Sequence, residues 1–166
     1  MLERKTIESS LSGSTLTSSK VDGLDYSPEK MMPDVKVLKI GGQSIMDRGR
    51  SALYPILDEL VAAKDRFQLL LCTGGGTRAP HIYSLGSELE LPTGVIAALG
   101  GYVPRQNARM LQMLLAKHGG IYIMNDDFEK LPLYFKLGCM PIMTGMPPFG
   151  YWEKPNADGR IPQHRT

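Results

Sequence analysis

Apolar positions along the chain follow two periods. Val35–Ile40, Phe67–Cys72, Ile121–Met124 and Met140–Thr144 are short apolar runs, the first two stopping at glycine clusters. Such runs suit strands buried on both faces of a parallel sheet. Between the first two, Leu53, Ile56, Leu57, Leu60 and Val61 recur at helical spacing and predict a helix to about Ala63. Asp47 is placed to cap that helix, and Pro55 predicts a kink or a late start. A second helix is expected over Arg78–Leu89, ended by Leu91-Pro92. Thr93 caps a third, carrying Val95, Ile96 and Leu99, which Gly100-Gly101 and Pro104 should break. The pattern resumes at Met110, Leu111, Leu114 and Leu115 and stops at Gly119. Phe128–Leu137 predicts a short helix. Strands alternating with helices imply right-handed crossovers and an α/β fold, a mainly parallel sheet covered on both faces as a three-layer α/β/α sandwich. Met140–Thr144, as its last strand, is expected at an exposed edge.

The ends of the chain lack both periods. Residues 1–33 are rich in serine, threonine and charge and are expected to form a flexible N-terminal arm. The domain is expected over 34–166, with Pro147, Pro148, Pro155 and Pro162 keeping its last part as loop. A length of 166 residues suits one domain, and the 42% apolar content can fill its core. The net charge of +2, with no basic run, argues against a nucleic-acid partner. No apolar run reaches the length of a membrane span, so no membrane partner is expected. The N-terminus lacks a secretory pattern, and a reducing cytoplasm is the expected location. Cys72 and Cys139 stand far apart in apolar contexts and read as buried thiols rather than as a disulfide or metal site. The ten methionines read as core filler.

Candidate chemistry gathers where the first two runs end. Lys39-Ile40-Gly41-Gly42-Gln43-Ser44 and Thr73-Gly74-Gly75-Gly76-Thr77-Arg78 each place bare backbone at the carboxyl end of a strand. Glycine lets a ligand approach the backbone, and successive N–H groups with a helix N-terminus behind them attract anions. Two such loops on neighbouring strands can hold one polyanion between them, with Lys39 as a positive charge, since a buried unpaired ammonium would be costly. Arg78 either clamps an oxyanion with its planar fork or pairs with a carboxylate. His81 shares a helix face with Arg78 and is either an oxyanion donor or a surface histidine. Arg105, Gln106 and Asn107 follow Pro104 at an expected helix start; they either donate hydrogen bonds to oxide ligands or serve as caps. Gly74–Ala79 formally matches a G-x-G-x-x-A dinucleotide fingerprint. It follows the second strand rather than the first, and no acidic residue stands about 20 positions on. No glycine loop ends in Gly-Lys-Ser/Thr, so there is no Walker A motif.

The order strand, Lys39-Ile40-Gly41-Gly42, helix, strand, Gly74-Gly75-Gly76 resembles the amino acid kinase family. Further motifs place it near a branch whose subunits store metal oxyanions: Met46-Asp47-Arg48-Gly49-Arg50, Thr77-Arg78-Ala79 with His81, Gln106-Asn107, Leu114–Gly119, Gly145–Pro148, and Ile161-Pro162 with His164-Arg165. The resemblance runs from Val35 to Thr166, and the family continues beyond it with a second half that completes the sheet and the nucleoside surface. Where one subunit type of that branch has a cluster-contacting histidine, this chain has Asn125. The resemblance implies ATP and Mg2+ as cofactors. It also implies molybdate or tungstate held as polyoxometalate, and a homo- or hetero-oligomer, a hexamer in that branch. It places Lys39, Gly41, Gly42, Gln43, Gly74, Gly75, Gly76 and Arg78 against phosphates, and His81, Arg105, Gln106 and Asn107 against oxyanion. The enzymatic alternative is a small-molecule kinase with Lys39 as its catalytic lysine, moving the ATP γ-phosphate to a carboxylate or phosphate acceptor.

Overall fold

The computed structural model of the chain describes residues 32–145, so the expectations for 1–31 and 146–166 lie outside the described residues. Four strands make one sheet: β1 (Val35–Ile40), β2 (Gln68–Thr73), β3 (Gly120–Tyr122) and β4 (Met140–Thr144). All pairs are parallel and the order is β1-β2-β4-β3. The register sets Lys39 opposite Cys72 and Ile40 opposite Thr73, so the first two strands end level. The four α-helices among the described residues are α1 (Arg50–Ala63), α2 (Arg78–Glu88), α3 (Thr93–Leu115) and α4 (Leu131–Lys136).

Strand order fixes the layers. The crossovers β1–α1–β2 and β2–α3–β3 both move the same way across the sheet, whereas β3–α4–β4 moves back. With right-handed connections, α1 and α3 then cover one face and α4 the other. The packing agrees. Leu53, Leu57 and Leu60 of α1 and Ala108, Leu111 and Leu115 of α3 share a buried cluster with Ile40, Leu69, Leu71, Met140 and Ile142. Alternation turns Leu70 and Met143 to the opposite face, where they are also buried. Leu131 and Phe135 of α4 are buried outside the first cluster, and α4 packs against β4. α2 packs on α3, where Gly86 meets Ile96 and Gly100 meets the Tyr83 ring.

Several expectations are corrected. β4 is central, not an edge, because the last crossover returns it between β2 and β3. The edges are β1 and β3. β1 is therefore not buried on both faces: Val37 is 63% exposed and Lys36, Leu38 and Lys39 are exposed too. Pro55 gives α1 no late start, since the helix begins five residues earlier at Arg50. Nor do Gly100, Gly101 and Pro104 break α3, a continuous helix of 23 residues. Gly100 is required by the Tyr83 ring, and Pro104 is buried with its carbonyl accepting 2.8 Å from Thr73 Oγ1, so packing outweighs local propensity there. The expected helix 128–137 is a 3-10 stretch, Asn125–Lys130, followed by the six-residue α4. Gly119 does stop the helical run, in the left-handed region at φ +85°.

Candidate functional site

The carboxyl ends of β1 and β2 bring the two glycine loops together. A Cβ on Gly42 would overlap the backbone N and Cα of Gly76. A Cβ on Gly74 would stand 3.3 Å from Gly42 N and 3.7 Å from the Lys39 Cε. The loops thus touch backbone to backbone, with the Lys39 side chain alongside. The Gly74 N–H donates to the Ile40 carbonyl at 3.1 Å, extending the strand ladder into the loops. Gln43 is exposed in the turn that follows Gly42. The amides of Met46 and Asp47 donate to the carbonyls of Gly41 and Gly42 at 3.1 and 2.8 Å, which closes the first loop into the 3-10 turn Met46–Arg48.

Polar side chains tie the second loop down from two sides. Asp47 does not cap α1, whose N-cap is Gly49. Its Oδ2 accepts the Thr77 N–H at 2.6 Å and the Thr77 hydroxyl at 2.9 Å, while Oδ1 lies 4.0 Å from Arg78 Nε. Gly76 has φ +67°, and a Cβ there would collide with that carboxylate. From the other side Asn107, fully buried, donates through Nδ2 to the Gly74 carbonyl at 2.6 Å and accepts through Oδ1 from Arg78 Nη2. Arg78 Nη1 donates to Gln106 Oε1 at 3.2 Å. Arg78 therefore links a carboxylate and two amides within the fold. Arg105, Gln106 and Asn107 lie in the middle of α3, not at a helix start, because that helix runs through Pro104.

The remaining candidates separate. His81 is exposed one turn beyond Arg78, with no hydrogen bond or ion pair among the described residues. Arg105 stacks on Tyr102 with its guanidinium 5.5 Å from the ring centre. It also lines a cavity of about 200 Å³ at the carboxyl ends of β3 and β4, with Tyr122, Met124, Asn125, Asp126 and Thr144. The row of strand ends thus offers two polar regions: the paired loops beside Lys39 and the cavity beside Arg105. Burial pushes the Cys72 thiol up to about 11, and nearby Lys39 offsets a smaller part of that rise. Cys72 is accordingly a neutral thiol near neutral pH. Among the described residues no group of three or more His, Cys, Asp or Glu stands ready for a bare metal ion. No described helix is long and apolar enough to cross a membrane.

Two contributors escaped the sequence. Asp47 looks like a local cap, and its true partner Thr77 is 30 residues away. Thr73, fully buried, ties the end of β2 to Pro104 of α3. No spacing rule links either pair.

A parallel α/β sheet whose first two strands end in touching glycine loops, with a lysine before the first, defines a class. Residues 34–144 match the amino acid kinase family, and the chain belongs to it. Within that class the chain is 44% identical over 165 residues to the molybdenum storage protein subunit beta of Azotobacter vinelandii (strain DJ / ATCC BAA-1303). That alignment covers 99% of this chain and 60% of the relative, so the chain spans about three fifths of the relative's length.

Proposed function

We propose that the chain is an oxyanion-binding subunit of a molybdenum storage assembly, taking up molybdate or tungstate. The observation that carries this reading is the 44% identity, across 99% of the chain, to a protein named for molybdenum storage. The donors suit the ligand. Molybdate is a hard oxyanion that calls for N–H groups and positive charge rather than thiolates. Lys39 with the bare backbone of Gly41 and Gly42 supplies that chemistry, and so does Arg105 at the cavity. Cys72, held neutral, has no part in it. The same loops have the chemistry for nucleotide phosphates, so ATP binding with Mg2+ held through those phosphates is part of the proposal. So is assembly into an oligomer.

Membership of a kinase family, with Lys39 lying along Gly74, favours one second reading: phosphoryl transfer from ATP to a small acceptor. Elemental analysis of the protein purified from molybdate-grown cells, with ATP kept in the buffers, separates the two. The storage reading expects several molybdenum atoms per chain and a clear loss in Lys39→Ala. A folded sample free of molybdenum that phosphorylates an acceptor would discard storage for the kinase.

A further inference from the structure

The long helix α3 is apolar on two sides. Ile96, Val103, Ala108, Leu111 and Leu115 are buried on the side that packs on α2 and the sheet. A second row, Val95, Leu99, Tyr102, Met110 and Met113, is exposed to solvent. At 3.6 residues per turn these five positions fall on one outer face that runs almost the length of the helix. No aspartate or glutamate interrupts it, since α3 contains none. A continuous apolar stripe on an outer helix face marks a surface that another molecule covers.

The stripe is its own complement. Val95 and Met113 stand near its two ends, Leu99 and Met110 inside them, and Tyr102 and Gln106 at its middle. A second α3 laid antiparallel would set Val95 against the partner's Met113 and Leu99 against the partner's Met110, on both sides of a two-fold axis. Charge favours the same arrangement. Exposed Glu88 and Glu90 precede α3, and exposed Lys117 follows it. Antiparallel helices bring the acidic end of each copy to the lysine end of the other and oppose the helix dipoles, whereas parallel helices would set like charges together.

We propose that the outer face of α3 seats a second copy of this chain, antiparallel, about a two-fold axis passing between Tyr102 and Gln106. This is the contact surface of the oligomer named under Proposed function, and it rests on that reading. Gln106, at the axis, accepts from Arg78 Nη1 at 3.2 Å, so the second glycine loops of the two copies lie on either side of the pair's centre.

Sedimentation velocity on the full chain tests the pairing. The unmodified chain should run at twice 18.3 kDa or a whole multiple of that pair. Val95→Glu sets a carboxylate against the partner's Met113, and Met113→Lys sets an ammonium against the partner's Val95, so each alone should halve the mass. The double variant sets carboxylate against ammonium twice across the axis and should restore the pair. The two positions lie about 27 Å apart along one helix and cannot pair within a chain. Val95 is 44% and Met113 72% exposed, so all three variants should melt cooperatively. The inference is overturned if the unmodified chain is not built of pairs, if either single variant keeps its mass, or if the double variant stays apart. A single variant that no longer melts cooperatively would mean that the stripe is covered within the chain, and overturns it too. Rescue by the double variant in a protein that takes no molybdate would sink the storage reading and leave this one standing; molybdate uptake by an assembly that both single variants leave intact would do the reverse.

Discussion

Single residues at the strand ends are set by what surrounds them rather than by their type. Cys72 illustrates this. Its thiol sits on β2 opposite Lys39, yet burial outweighs the cation and raises its pKa from 9.0 to about 11. Alkylation by iodoacetamide should therefore be slow at pH 8, where only about one thiol in a thousand is ionised, and should accelerate above pH 10 or on unfolding. The folded state holds this proton more tightly than the unfolded one, so the contribution to stability is intact below pH 9 and is lost as pH rises through 9 to about 11. Urea midpoints across that range would check it, with Cys72→Ala as the variant lacking the effect. The sequence pointed to a buried reduced thiol here, and the structure shows a free thiol that is half-buried. The sequence did not reveal Asp47, because a carboxylate that caps its own helix and one that reaches across 30 residues have the same local pattern.

At the scale of elements, the apolar runs marked strands and helices well, and the errors share one cause. β4 matches its expected span residue for residue, but its place in the middle of the sheet depends on a crossover direction that no run of residues encodes. Pro104 and the glycines before it argue for a broken helix by propensity, whereas packing against Tyr83 and Thr73 keeps α3 whole. The equal apolarity of β1 and β2 hid an unequal burial. Leu71 is fully buried at the centre of the cluster, and Val37 is mostly exposed on the edge strand. Leu71→Ala should cost about 2–5 kcal/mol. Val37→Thr should stay within about 0.5 kcal/mol. Chemical denaturation of the two variants side by side would show the difference, and equal losses would mean that β1 is covered in solution.

For the molecule as a whole, the sheet places both glycine loops and the Arg105 cavity along one row of strand ends, the edge at which open parallel sheets bind ligands. That much was legible from the two glycine clusters. The second region, the cavity beside Arg105, was not, since Tyr122 and Thr144 come from two strands whose adjacency only the fold supplies, and Asn125 from the 3-10 stretch after the first of them. A ligand held only by the folded chain stabilises it by mass action. Molybdate at about one hundred times its dissociation constant should add about 2.7 kcal/mol, read as a rise in melting temperature that shrinks in Lys39→Ala. An unchanged melting temperature at saturating molybdate would count against binding by the folded chain.

The contact between Gly42 and Gly76 has an evolutionary consequence. With no room for even a methyl group between them, Gly42 cannot gain a side chain unless the second loop gives way, nor Gly76 unless Asp47 does. An insertion after Gly42 would also carry Asp47 away from Thr77. Changes in two stretches that lie some thirty residues apart are thus coupled, and remodelling one disturbs the other.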